Sequence, residues 1–136
     1  MTRFHIIRLT FVVLAVILLL HYVAVTLFLY SYVWWYDIPQ HLLGGFASGL
    51  FLLWFFSSEN RTGGGRMTSL RVMAIALVGA ITVGLVWELF EYCAGITQNT
   101  IGSYPLDTVK DLAMDITGGY FAHVYYVARV FFNKKS

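Results

Sequence analysis

The stretch WELFEYCAG at residues 87–95 carries two carboxylates, Glu88 and Glu91, three residues apart at the end of an apolar run. Asp37 and His41 stand four apart, and Asp107, Asp111 and Asp115 recur every four residues, a spacing that Gly119 and His123 continue. On a helix, residues three or four apart share a face, and each step of four drifts by about 40°, so Asp107 to Asp115 form one stripe. Carboxylates packed together repel, and some protonate unless a cation neutralises them. Lys110 is the only base near these acids, and it is expected in water. A divalent cation is the simpler neutraliser. Carboxylate oxygens with one imidazole suit Mn, Mg, Fe or Zn, and the lack of thiolates makes Zn the less natural choice. Such an ion can activate a water or hold a phosphate. The expected ligands are His41, Glu88, Asp111 and Asp115, with Glu91 or Asp37 as the base or as the group that orients His41.

The elements that must position these groups are apolar. The chain has 136 residues, enough for one domain. It is 59% hydrophobic and 12% charged, with a mean hydropathy of +0.71. Soluble domains carry roughly 25% charged residues, so this chain cannot cover itself with polar surface, and membrane is its natural solvent. The single cysteine, Cys93, excludes an internal disulfide and a Cys-rich metal site. Four stretches, about 9–30, 38–56, 72–90 and 112–132, are expected to be transmembrane helices. No strand alternation competes with them, so the expected fold is an all-α, four-helix membrane bundle covering 1–136 as a single membrane domain. The first stretch follows Arg3 and Arg8 as in a signal peptide, but it is too long, and bulky YSYVWWY stands where a small-residue cleavage site would be. Trp34, Trp35 and Tyr36 are expected to form an interfacial belt.

Basic residues set the expected orientation. With the N-terminus in the cytoplasm, Arg3, Arg8, Arg61, Arg66, Arg71, Arg129, Lys134 and Lys135 all fall inside, eight of the nine Lys and Arg residues. Both termini are then cytoplasmic. Glu59 falls in the inner Gly-rich loop, whereas Asp37, Glu88, Glu91, Asp107, Asp111 and Asp115 gather at the outer ends of helices. Glu88 and Asp115 each lie about 16 residues from the inner end of their helix, so both stand roughly 24 Å up. Small residues let the helices approach at that layer: Gly45 and Gly49 on the second, Ala76, Ala80 and Gly84 leading to Glu88 on the third, and Gly118 and Gly119 beside Asp115 on the fourth.

Several of these residues have simpler roles open to them. Asp37 before Ile38-Pro39 suits a helix cap, as does Asp107 after SYPL. Asp111 in a first turn complements the helix dipole, and Glu91 can lie in interfacial water. His21 and His123 are read as interhelical hydrogen-bonding histidines. His41, Glu88 and Asp115 are harder to explain that way, because an acid near the membrane centre costs roughly 2.5–3.5 kcal/mol on insertion scales.

The motifs DIPQH with GG behind it, WELFE, and DTVKDLAMDITGG resemble those of the YjdF-like membrane proteins. They are more distantly similar to the VanZ-like family linked to glycopeptide (teicoplanin) resistance. The shared pattern is Asp-x3-His opening a helix, Glu ending the next, and Asp-x3-Asn/Asp-x2-Gly opening the last. The matching positions are Asp37, His41, Glu88, Glu91, Asp107, Asp111, Asp115 and Gly118, over the last three helices. Against VanZ-like proteins, Glu91 stands in place of Gln and Asp115 in place of Asn, and both changes add negative charge. The resemblance implies architecture and a residue set, not a reaction.

The functional expectation is a small membrane-embedded, metal-dependent hydrolase acting on a lipid-linked substrate, with its site facing outward from a bacterial or archaeal cytoplasmic membrane. Membrane lipid and a second copy of the chain are the expected partners, and nucleic acid is not one. A cation or proton relay along Asp107, Asp111, Asp115 and His123 is an alternative, although VYYVARVFF below His123 offers it no continuation. A structural membrane subunit, in which the acids only fix helix register, is another.

Overall fold

The structure, a computed structural model, describes residues 3–56, 67–95 and 103–132. The Gly-rich loop with Glu59, Arg61 and Arg66, the Lys134–Lys135 pair and the start of the loop before the last helix lie outside the described residues. Helix α1 spans Arg3–Thr26, α2 is a single turn at Leu29–Tyr32, α3 spans Asp37–Phe56, α4 Ser69–Ala94 and α5 Tyr104–Phe132. No strand occurs among the described residues. Among the described residues three helices, Phe4–Thr26, Asp37–Phe56 and Ser69–Ala94, are long and apolar enough to cross a membrane. Helix α5 is not one of them, because Asp107, Lys110, Asp111, Asp115 and Arg129 dilute its apolar face.

Local chemistry explains the ends. Thr68 caps α4, its hydroxyl accepting from the Arg71 amide at 3.3 Å. At the other end Gly95 adopts a left-handed φ of 66° and its N–H bonds back to the Glu91 and Tyr92 carbonyls. Pro39 and Pro105 stand in the first turns of α3 and α5, where a missing N–H costs nothing. Helix α5 therefore starts well before residue 112, and Asp107 and Asp111 are helical. The first stretch, expected to continue to Tyr30, stops at Thr26: Phe28 has φ 55°, uncommon for a residue with a Cβ, and the chain restarts as α2. That break turns Tyr30 toward α3.

Helix α3 is the centre, packed against α1, α4 and α5, with α4 also against α5. The small residues make this possible. A Cβ on Gly45 would strike the Asp115 backbone, and one on Gly118 the Leu42 carbonyl. A Cβ on Gly119 would lie 2.7 Å from that of Ala80, and one on Gly79 2.8 Å from the Ser48 carbonyl. Backbones in such contact associate through van der Waals packing, which is what remains when lipid removes the hydrophobic difference. Ile6, Leu50, Leu53, Val72, Ala76 and Ala122 form the apolar core toward one end. There His5 meets the Tyr125 hydroxyl (3.1 Å) and His123 Nε2 meets the Ser69 hydroxyl (3.1 Å). The acids gather at the other end. Large apolar side chains such as Phe11, Leu18, Val86 and Leu89 stay exposed, as suits a surface solvated by lipid.

Candidate functional site

The α5 stripe turns out to be buried: Asp107, Asp111 and Asp115 lie against α3 and α4 with Gly118, Gly119 and Ala122 beneath them. His41, one turn into α3, stands among them. Its Nδ1 is 3.2 Å from Asp115 Oδ2, and its Nε2 is 3.5 Å from Asp37 Oδ2 and 3.9 Å from Asp111 Oδ1. Room for the Asp115 carboxylate comes from glycine. A Cβ on Gly84 of α4 would collide with Asp115 Oδ2, and Gly44 faces Asp115 Oδ1 from α3. One ligand atom each from Asp37, His41 and Asp111 lies within 4.8 Å of the other two, a group that could hold a metal ion.

Lys110 is not in water. Its side chain is only 12% exposed, and Nζ lies 2.8 Å from Asp107 Oδ1, 3.1 Å from Asp111 Oδ1 and 3.7 Å from Asp37 Oδ2. The amphipathic stem lets a lysine one residue off the stripe fold back over it, so the protein brings an ammonium of its own to the acids.

The two glutamates of WELFE part company. Glu88 is 5% exposed and points into the bundle, where its Oε2 accepts the Thr108 hydroxyl at 2.7 Å and its carbonyl accepts Tyr104. It is not in the group with Asp37, His41 and Asp111. Glu91, half-buried, accepts the Trp87 indole N–H at 2.9 Å. Thr108→Val would leave the buried Glu88 carboxylate without that donor, so a loss of roughly 1–3 kcal/mol is expected, read as a lower thermal midpoint in detergent. Thr108→Ser should keep most of the stability.

A cavity of about 610 Å³ opens beside His41, between α1 and α4 and along α3. Asp37, Gln40, His41, Glu91 and Asp115 line one end, and Leu14, Ala47, Phe51 and Val83 the rest. His21 of α1 reaches the same end through Tyr30. His21 Nδ1 and the Tyr30 hydroxyl are 2.7 Å apart, and Tyr30 donates to Gln40 Oε1 at 2.9 Å. Since Tyr30 gives its one proton to Gln40, it is the acceptor toward His21 Nδ1. Burial pushes the Tyr30 phenol up to about 12, so it remains a donor at any physiological pH. Tyr30, Gln40, Trp87 and Thr108 escaped the sequence reading. Each is uncharged, and nothing in its residue type alone ties it to the acids.

The fold and site together define an all-helical membrane protein with a buried acid–histidine cluster at one end of its helices. The chain belongs to the DUF2238 family of predicted membrane proteins, the YjdF-like family, whose model matches residues 1–131. Neither the curated proteins nor the solved structures give a match.

Proposed function

We propose that this chain is a membrane-embedded, metal-dependent hydrolase of a lipid-linked substrate, with its site facing the outer leaflet. The observation that carries the reading is the juxtaposition of Asp37, His41 and Asp111 with the polar end of a long, mostly apolar cleft. In this reading His41 Nε2, Asp37 and Asp111 hold the ion, and Asp115 accepts the Nδ1–H. That fixes the tautomer and raises the basicity of the ring, the usual second partner of a metal-bound histidine. Asp37 and Asp115 thereby exchange the roles expected from sequence. An ion held there would supply an activated water, and Glu91, on the wall of the same cleft, is the residue assigned as base. An oxygen-rich set with one imidazole suits Mn, Mg, Fe or Zn. Exposed Arg8, Arg71 and Arg129, near the other end of the helices, support the outward orientation, and α5 completes a four-helix bundle. The motif order shared with VanZ-like proteins belongs to the same reading. A conduit is less well supported: between Asp115 and His123 the buried residues of α5 are Gly118, Gly119 and Ala122, none ionisable.

Lys110 favours a second reading, in which its contact with Asp37 and that of His41 with Asp115 only lock α5 to α3. Metal content of the purified protein, measured by mass spectrometry, separates the two. Near-stoichiometric divalent metal is expected in wild type, lost in His41→Ala and Asp111→Asn. Asp115→Asn should bind roughly 10–100-fold more weakly. A well-folded wild type that stays metal-free after divalent ions are added back would sink the hydrolase reading and leave the lock.

A further inference from the structure

The cleft has a sign as well as a shape. It follows α3 from Asp37 to Phe51, a rise of about 21 Å, more than one leaflet of a roughly 30 Å hydrocarbon core. Its deep wall offers no free polar group: the Thr10 hydroxyl donates to the Ile6 carbonyl and that of Ser48 to the Gly44 carbonyl. The other end is acidic. Asp37, Glu91 and Asp115 line it with His41, which is paired with Asp37 and Asp115, while Lys110 lies behind, among Asp37, Asp107 and Asp111, and is not part of the lining. Even a divalent ion together with Lys110 supplies fewer formal positive charges than the six acids of this end carry.

Two further features select a head group. Trp87 and Glu91 stand together on the wall, and the indole N–H bond to the carboxylate fixes them side by side. A wall that carries a carboxylate next to an indole can receive an ammonium, by ion pairing and by cation–π contact over the ring. Independently, Gln40 is 8% exposed and lines the cleft, yet its Nε2 has no hydrogen-bond partner. A buried amide donor left unpaired costs free energy, and an acceptor oxygen on a bound ligand would satisfy it.

We infer that the cleft takes a long-chain amphiphile whose head carries an ammonium group and a nearby acceptor oxygen, such as an aminoacyl lipid. The tail lies along α3, and the ammonium meets the Glu91 carboxylate on the side that faces the cleft, next to Trp87. This names the substrate class of the site proposed above and rests on that reading of the cleft, but it does not depend on the metal.

The test compares three probes with one tail, hexadecylamine, hexadecanol and hexadecyl phosphate, competing for the full chain in lipid nanodiscs, with occupancy read by native mass spectrometry. The amine is expected to bind about tenfold better than the alcohol, the scale of a partly desolvated cation–π contact beside a carboxylate, and the phosphate worst. Glu91→Gln should bring the amine down to the level of the alcohol and leave the alcohol unchanged. Trp87→Phe, at a half-exposed residue, should reduce the amine preference and serves if Glu91→Gln does not fold. Phosphate binding as well as amine, amine and alcohol binding equally, or a preference unmoved by either variant would each overturn the inference. Running each competition before and after chelation separates it from the metal. An amine preference that survives in metal-free protein upholds this inference even if the hydrolase reading falls. Metal-loaded protein that prefers the phosphate overturns it and leaves the hydrolase reading standing.

Discussion

Gly118→Ala is expected to unseat α5 from α3 and to take the site with it. The new Cβ would strike the Leu42 carbonyl, with the Phe46 amide nitrogen 2.6 Å away. These are backbone atoms of a buried helix, so no side chain can rotate to make room. Helix α5 must move outward or slide, and either motion separates Asp111 and Asp115 from His41, which now lies 3.9 Å and 3.2 Å from them. Overpacking of a close interface costs roughly 1–3 kcal/mol. The expected readout is a lower thermal midpoint in detergent together with weaker metal and amine binding. Gly95→Ala is the control, because among the described residues no atom beyond its chain neighbours lies within 4 Å of its added Cβ. It should cost only the strain of a left-handed φ at a helix end, and the site should survive. Wild-type stability and binding in Gly118→Ala would mean that α3 and α5 are not in backbone contact.

Lys110→Met should have the other large effect. The ammonium contacts Asp37, Asp107 and Asp111, and its removal leaves these carboxylates to face one another. Removing one partner of a buried ion pair costs roughly 3–5 kcal/mol, most of it from the charges left behind. Methionine keeps the length and most of the volume, so packing alone does not account for such a loss. A divalent ion can take over the neutralisation, so adding Mn or Mg should restore the midpoint of Lys110→Met by more than it raises that of wild type. The thermal midpoint with and without added metal checks this. If Lys110→Met is destabilised and metal gives no recovery, the acids do not form a divalent site, and the ammonium is their permanent counterion. If the substitution leaves the midpoint unchanged, the lysine is not a buried partner at all.

The sequence alone determined the membrane class, because composition and the length of the apolar stretches depend on no tertiary contact. It also determined which face of each of the last three helices would pack. Gly45 and Gly49, the run Ala76–Ala80–Gly84–Glu88, and Asp107–Asp111–Asp115 repeat at helical spacing, and the period alone puts each set on one buried face. His21 and His123 were legible as hydrogen-bonding histidines, since a polar ring in an apolar helix must find a partner, and Tyr30 and Ser69 are those partners. The tertiary structure decided which acid meets which base. Glu88 and Asp115 look matched in depth when counted from the ends of their helices, but Asp115 packs on Gly84, one turn before Glu88, and Glu88 reaches Thr108, two turns before Asp115, so the offset along the axes gives Glu88 to Thr108 and Asp115 to His41. Lys110 looked solvated because its Cα lies off the acidic stripe, and only a neighbouring α3 makes folding its long stem back over Asp107 and Asp111 favourable. The cleft was invisible for the same reason. It is the space left between α1 and α4 as both pack on α3, a property of how the helices are arranged and of no single one of them.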